Sequence, residues 1–592
     1  MAIVMRKNAC VRARTRFGFS FFRPSLAASA LALSVAFAPL AVALEIEEQP
    51  KPSQSFVGNY LAGRFAVQER DKDAAALFLG AALQQSPEDS NLIDQAFVAS
   101  LAAGNFDDAV EHAKALMKVE GDNRLARITV AANALRGRQY AQVNKIMEGG
   151  FENPLARITG TFIHAWAEMG AGRKAEALSM VDKMDDLGNG DIRRIKDYTY
   201  GMLAEFAGNT ESALAAYGRA YEAAPGNIRV VEALARMYAK TGDFDSAREL
   251  AEKFEELAPG HSLIARILAN VKEKQVPASP ANSPQAGAAE AIFTVGAALG
   301  RDASDEMAVM FYQVALLLQP DAPMPLIGLS GYFDAIKDYP AALAVLERVP
   351  DDAPQGISAQ VSKARLLDKM ERTDEALEIL DALAIASPSR DVFLARASIL
   401  HEKKRYQDAA DAYSRAIAVT GEVRDADWYL FYYRGMVRER AKQWSRAEQD
   451  FKRALKLKPE QPQVLNYLGY SWIDQGLNLD EALKLVKRAV ELRPKDGDIV
   501  DSLGWAYYRL GRYEEAVKTL ERAIELRPEE PVIQDHLGDA YWKVGRKFEA
   551  RFQWQHALDM EPEDPELIES VKAKLKDGLP EEPEQKAAKA GD

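Results

Sequence analysis

Cysteine is nearly missing from this chain of 592 residues: the single one, Cys10, lies among basic residues close to the start. A lone thiol forms no intramolecular disulfide, so the fold cannot rest on covalent cross-links. Nor does a cysteine follow directly on an apolar leader, where a lipid anchor would need it. Histidine is also scarce, and the six, His112, His164, His261, His401, His536 and His556, stand far apart. They supply neither an HExxH helix nor a His/Cys ligand set; His401-Glu402, the nearest fragment, lacks a second histidine four positions on and reads as two polar side chains facing solvent. Glycine-rich phosphate loops and a G-x-S-x-G elbow are absent. Asp and Glu pairs fall on helix faces and turns, where solvation and pairing with Lys or Arg account for them. The sequence therefore offers no enzyme chemistry, no metal site and no cofactor.

An excess of positive charge is missing as well, since 75 Lys and Arg stand against 88 Asp and Glu for a net −13. Binding nucleic acid by phosphate neutralisation needs a basic face, which disfavours such a partner. The acidity reads as a soluble surface or as an acidic groove that selects basic or polar partner segments. Runs of β-branched residues with period two are absent too, and with them any sheet.

The start of the chain carries a different signal. Arg6, Lys7, Arg12, Arg14, Arg16 and Arg23 occur with no acid before an apolar stretch over 26–40, followed by Ala41-Val42-Ala43. That is the anatomy of a secretory signal over 1–43 with an A-x-A cleavage site. Cleavage would leave a soluble chain beginning LEIEEQPKP, free of cysteine and with charge −19 once those six basic residues are gone. The expected location is the periplasm. The alternatives are an uncleaved segment that anchors the chain in the inner membrane, the run to Ala43 being nearly of spanning length, and an organelle transit peptide, against which the long apolar run weighs.

The strongest positive feature is a motif that recurs every 34 residues near the C-terminus, clearest over 501–528. Gly504 recurs as Gly538, Ala516 as Ala550, Ala523 as Ala557 and Pro528 as Pro562. Going backwards, the register meets Pro494, Ala489 and Ala482, while Gly469 sits one residue early because the turn at 476–480 carries an insertion. Each unit reads as two amphipathic helices, here 498–510 and 514–526, with Gly511 at the turn. Gly504 is expected to let the first helix approach Ala516, and Ala523 to make room for the next unit. One helix pair cannot bury its apolar face alone, so the units must stack.

Gly504, Tyr507, Gly511, Tyr513, Ala516, Ala523 and Pro528 resemble the tetratricopeptide repeat (TPR) position for position. The resemblance implies an all-α solenoid, and carrying the register upstream gives about fourteen units. We expect two arrays, over 56–261 and 289–564, separated by a helix end and a Pro/Ala/Ser-rich linker over 262–288. One unbroken solenoid with a surface loop there is the alternative. Residues 44–55 form a short N-terminal linker, 565–576 a capping helix and 577–592 a polar, disordered tail.

In such an array the first helices of successive units line the concave side. The register places Tyr432, Asn466, Tyr470, Asp501, Trp505, Arg509, Asp535, Asp539 and Trp542 there, a groove suited to an extended peptide or partner helix. The alternative is that Tyr470, Trp505 and Trp542 fill gaps between units; Trp428, Trp444, Trp472 and Trp554 read as core. Asp501, Asp535 and Asp539 would repel a terminal carboxylate, which argues against clamping of C-terminal tails.

Residues 428–576 are also similar to the C-terminal repeats of proteobacterial cell-envelope TPR proteins, some of them lipoproteins, that act as adaptors for a C-terminal processing protease. The resemblance implies a scaffold that holds that periplasmic protease and brings it substrates. A subunit of an assembly or export complex for outer membrane or polysaccharide is the alternative.

Overall fold

The computed structural model describes residues 51–184, 190–258, 261–300 and 306–579. The expected signal segment, most of the short linker after it and the tail from 580 lie outside these residues. Thirty α-helices and no strand are found among the described residues. Setting aside Ser262–Lys272 and Pro565–Asp577, the helices form fourteen pairs. None is long and apolar enough to cross a membrane.

The reference unit shows why these residues form this shape. Its helices, Gly497–Arg509 and Tyr513–Leu526, begin one residue before the expected starts. The Asp496 side chain accepts a bond from Ile499 N–H and caps the first helix. At the turn Gly511 takes φ +72°, a left-handed conformation that a side chain would strain. The next pair begins at Pro531, whose missing N–H costs nothing in the first turn.

The small residue in each first helix turns out to face a bulky side chain in the second. A Cβ on Gly504 would meet Leu520 at 2.5 Å, so Leu520 rather than Ala516 uses the space. Elsewhere the same position admits Leu79 against Gly63, Tyr217 against Gly201, Phe451 against Gly435 and Trp554 against Gly538. The unit thus fixes the vacancy and lets its filling vary. Ala523 behaves as expected and is buried with Val500 and with Ile533 of the following unit.

The division into two arrays meets a different arrangement. Among the described residues, those from Pro52 onward belong to one compact unit, and a single buried core runs from Ala66 to Leu366. The expected linker contains helix Ser262–Lys272, which continues the first array, and the start of helix Pro284–Leu299. That helix and its partner Glu306–Leu318 fold back onto the inward first helices of the first array, Ser90–Ala103, Arg124–Arg136, Pro154–Gly170 and Gly190–Ala207. The Pro-rich stretch is therefore a short return to the groove, not a hinge between independent bodies.

Chemistry along this returning hairpin explains its seat. Every residue from Ala308 to Leu318 is buried, as expected of a helix that is apolar all round. A Cβ on Gly287 would lie 2.2 Å from the ring of fully buried Trp166, so the backbone itself packs on that indole. Gln285 Nε2 donates to Leu135 O at 3.0 Å and Gln313 Nε2 to Ala102 O at 2.8 Å, satisfying carbonyls at helix ends of the first array. Glu290, also buried, accepts from Arg229 Nη2 at 2.7 Å and Tyr198 Oη at 3.0 Å. Burial, with the Glu290 charge second, raises the Tyr198 phenol above its ordinary range.

Candidate functional site

With the first groove filled by the chain itself, the concave side near the C-terminus offers the candidate site. Helices Pro462–Asp474, Gly497–Arg509 and Pro531–Lys543 are successive first helices of three units. Between them lies a cavity of about 320 Å³ lined by Asn466, Tyr470, Asp498, Asp501, Ser502 and His536, with Val532 and Ile533 at one side. Asn466 Nδ2 donates to Ser502 Oγ at 3.1 Å, and Ser502 Oγ donates to Asp498 O at 3.0 Å. These bonds fix the amide, yet Asn466 Oδ1 is buried without a hydrogen-bond partner. A buried acceptor in that state carries a desolvation penalty.

The walls combine charge with aromatic surface. His536 Nδ1 lies 2.9 Å from Asp501 Oδ1. Burial by itself would lower the His536 pKa, but the charge and hydrogen bond of Asp501, helped by Asp535 and Asp539, raise it above 6.5. Behind the imidazole, Trp505 stacks at 4.2 Å on His536 and at 4.7 Å on Tyr508. The Trp505 Nε1–H is buried and unpartnered. Burial, then the Asp474 and Asp501 charges, push the Tyr470 phenol up to about 12, so it remains a hydrogen-bond donor at neutral pH. The site can therefore offer donors and acceptors to a polar backbone beside an apolar shelf.

The nine expected groove residues separate into distinct groups. Asn466, Tyr470 and Asp501 line the cavity. Trp505 supports it from behind through His536. Exposed Arg509 is not among the residues that line the cavity and is held by Asp474 Oδ1 at 3.1 Å. Tyr432 instead belongs to an aromatic cluster with Trp428, Phe451 and Tyr467.

Asp535, Asp539 and Trp542 depart from the expected open groove because the capping helix Pro565–Asp577 covers them. Lys574 Nζ donates to Asp535 Oδ1 and to Asp539 Oδ2, both at 2.8 Å, and Trp554 Nε1 donates to Asp539 Oδ1 at 2.9 Å. Trp542 packs on Trp554 at 5.3 Å, and a Cβ on Gly578 would meet its ring at 2.2 Å. Burial, followed by the Asp535 charge, pushes the Asp539 carboxyl up to about 6.

Ser502 and His536 were not among the expected groove residues. The available signal was spacing: His536 lies 35 residues after Asp501 and Ser502 lies 36 after Asn466, so each pair is one unit apart. Among the described residues no group of His, Cys, Asp and Glu could hold a metal ion.

Comparison with known proteins places this geometry in a class. Family models described as tetratricopeptide repeat match residues 207–271, 361–426 and 432–497, and one described as TPR repeat matches 504–545. The chain is an all-α TPR solenoid, and its repeats are those of protein–protein interaction scaffolds. No curated protein matches it in sequence. Among solved structures, a tetratricopeptide repeat protein from Parabacteroides merdae is 18% identical with a TM-score of 0.36, covering 42% of this chain and 96% of its own. A thermophilic TPR protein from Thermus thermophilus is 22% identical with a TM-score of 0.28, covering 32% of this chain and 99% of its own. The APC/C hetero-tetramer Cut9-Hcn1 covers 89% of this chain and 97% of its own at 14% identity, with a TM-score of 0.35.

Proposed function

We propose that this protein is a non-catalytic scaffold of the bacterial cell envelope that receives an extended segment of a protein partner in the cavity around Asn466. The observation that carries this reading is the open cavity between three successive first helices, lined by Asn466, Tyr470, Asp501 and His536, in a chain whose other concave groove is filled by its own helices. A backbone N–H of the partner would meet the exposed Asp498 carboxylate, the Tyr470 hydroxyl would meet a carbonyl, and Val532 with Ile533 would cover an apolar side chain.

Periplasmic location rests on the basic, acid-free start, the apolar run and the A-x-A site. The resemblance over 428–576 suggests the finer role of presenting substrates to a C-terminal processing protease. The missing lipid-bearing cysteine separates this chain from the lipid-anchored adaptors.

The test is co-elution of the full chain with a purified C-terminal processing protease and with envelope proteins identified by affinity capture. Replacing Asn466 and Tyr470 together by alanine is expected to weaken capture by about tenfold or more, the range lost with an interface anchor. Unchanged capture by this variant would dismiss the cavity as the binding site. Capture of envelope proteins without the protease would dismiss the adaptor role alone.

A further inference from the structure

The last unit differs from the others on the side facing away from the concave cavity. On helix Lys547–Asp559, Phe548 is 85% exposed and Phe552 is 62% exposed. They lie four residues apart, hence on one face, and His556 extends the stripe by stacking on Phe552 at 6.1 Å.

Repeat register shows that the fold does not require them. Counting from the buried alanine of each second helix, the residues at Phe548 and Phe552 correspond to Glu514 and Lys518 in the preceding unit. One unit earlier they are Asp480 and Lys484, and before that Ser445 and Gln449. Three units keep this surface polar and the fourth exposes two phenyl rings on it. Exposed apolar surface without a packing role is characteristic of an interaction site.

The surroundings say what covers it. Lys547 and Arg551, again four apart, share one flank of the stripe. Lys547 lies over the Trp542 ring at 4.8 Å, and Arg551 donates to Leu575 O at 2.6 Å. Neither pairs with a carboxylate among the described residues. The chain's residues 580–592 include Glu581, Glu582 and Glu584 but no leucine, valine or aromatic side chain to lie on the phenyls.

We infer that the outer face of helix Lys547–Asp559 docks an acidic amphipathic helix of a protein partner, its apolar stripe on Phe548 and Phe552 and its carboxylates against Lys547 and Arg551. This surface is separate from the Asn466 cavity, so the scaffold has two independent contact sites at its C-terminal end.

The test titrates the full chain against a labelled synthetic helix carrying leucines at i and i+4 and glutamates along one flank, and against a twin with lysines on that flank, by fluorescence anisotropy. The glutamate helix is expected to bind about tenfold tighter than its twin. F548E/F552K, which restores the residue types of the preceding unit, is expected to weaken it by about tenfold or more. Both side chains are exposed, so circular dichroism and the melting temperature of that variant should stay unchanged. K547E/R551E is expected to reverse the preference between the helices. The alanine variant at Asn466 and Tyr470 should bind the helix normally, which keeps this test independent of the cavity.

Equal binding of both helices, or undiminished binding to F548E/F552K, would overturn the inference. A concentration-dependent dimer that F548E/F552K abolishes would give the face to a second copy instead. Binding seen only after removal of residues 580–592 would give it to the chain's own tail.

Discussion

Replacing Glu290 by alanine is expected to release the returning hairpin from the first groove. Arg229 is 11% exposed at its side chain and Glu290 8%, so removal of the carboxylate leaves a guanidinium in a buried site with only Glu232 as a charged partner. Breaking one side of such a pair costs about 3–5 kcal/mol, far more than an exposed ion pair contributes. The Tyr198 hydroxyl loses its acceptor at the same time. Limited proteolysis should then cleave within helices Pro284–Leu299 and Glu306–Leu318, where the wild-type chain resists. Replacing Arg229 by methionine as well should recover part of the loss, since the buried guanidinium is then gone and only Glu232, 15% exposed at its side chain, is left without its cation. A double variant as sensitive as the single one would show that the charge pair does not hold the hairpin.

Replacing Lys574 by methionine is expected to have an effect of similar size at the other end. Among the described residues Lys574 is the only lysine within 2.8 Å of both Asp535 and Asp539, and without it two buried carboxylates face each other. The expected cost is about 3–5 kcal/mol, with detachment of the capping helix and exposure of Trp542. Changing Asp539 to asparagine in that background should restore docking. The effect also depends on pH with a defined sign. Asp539 is raised from 3.8 to about 6, so the folded chain holds its proton more tightly and stability falls as pH rises through that window. His536 is raised above 6.5 and adds stability that is complete below 6.5 and is lost as pH climbs through its folded value. Thermal unfolding followed across this range should show K574M losing more stability at neutral pH than in acid. An effect that is larger in acid would contradict the assignment.

The period of 34 residues carried the fold because its small residues and prolines recur at fixed offsets. Helix ends in the reference unit came within one residue. The returning hairpin was not legible from the linker's composition, because three prolines and small polar residues suit a tether as well as a turn back into a groove. Its signal lay just downstream in EMAVMFYQVALLL, a helix apolar on every side, which has to be enclosed. The candidate cavity was half legible. Asn466, Tyr470 and Asp501 follow from the register, whereas Asp535 and Asp539 share their register but face Lys574, which belongs to no repeat. A repeat pattern predicts which way a side chain points, and the cap decides whether anything remains exposed there.

The central claim is that partners enter the cavity around Asn466 while the first groove stays occupied by the chain's own hairpin. Hydrogen exchange with and without bound partner, read segment by segment, tests it most directly. The account predicts new protection over Pro462–Asp474, Gly497–Arg509 and Pro531–Lys543, with Pro284–Leu299 and Glu306–Leu318 already protected and unchanged. Protection gained along the first array, with loss over Pro284–Leu299, would mean that the partner displaces the hairpin, and would contradict it.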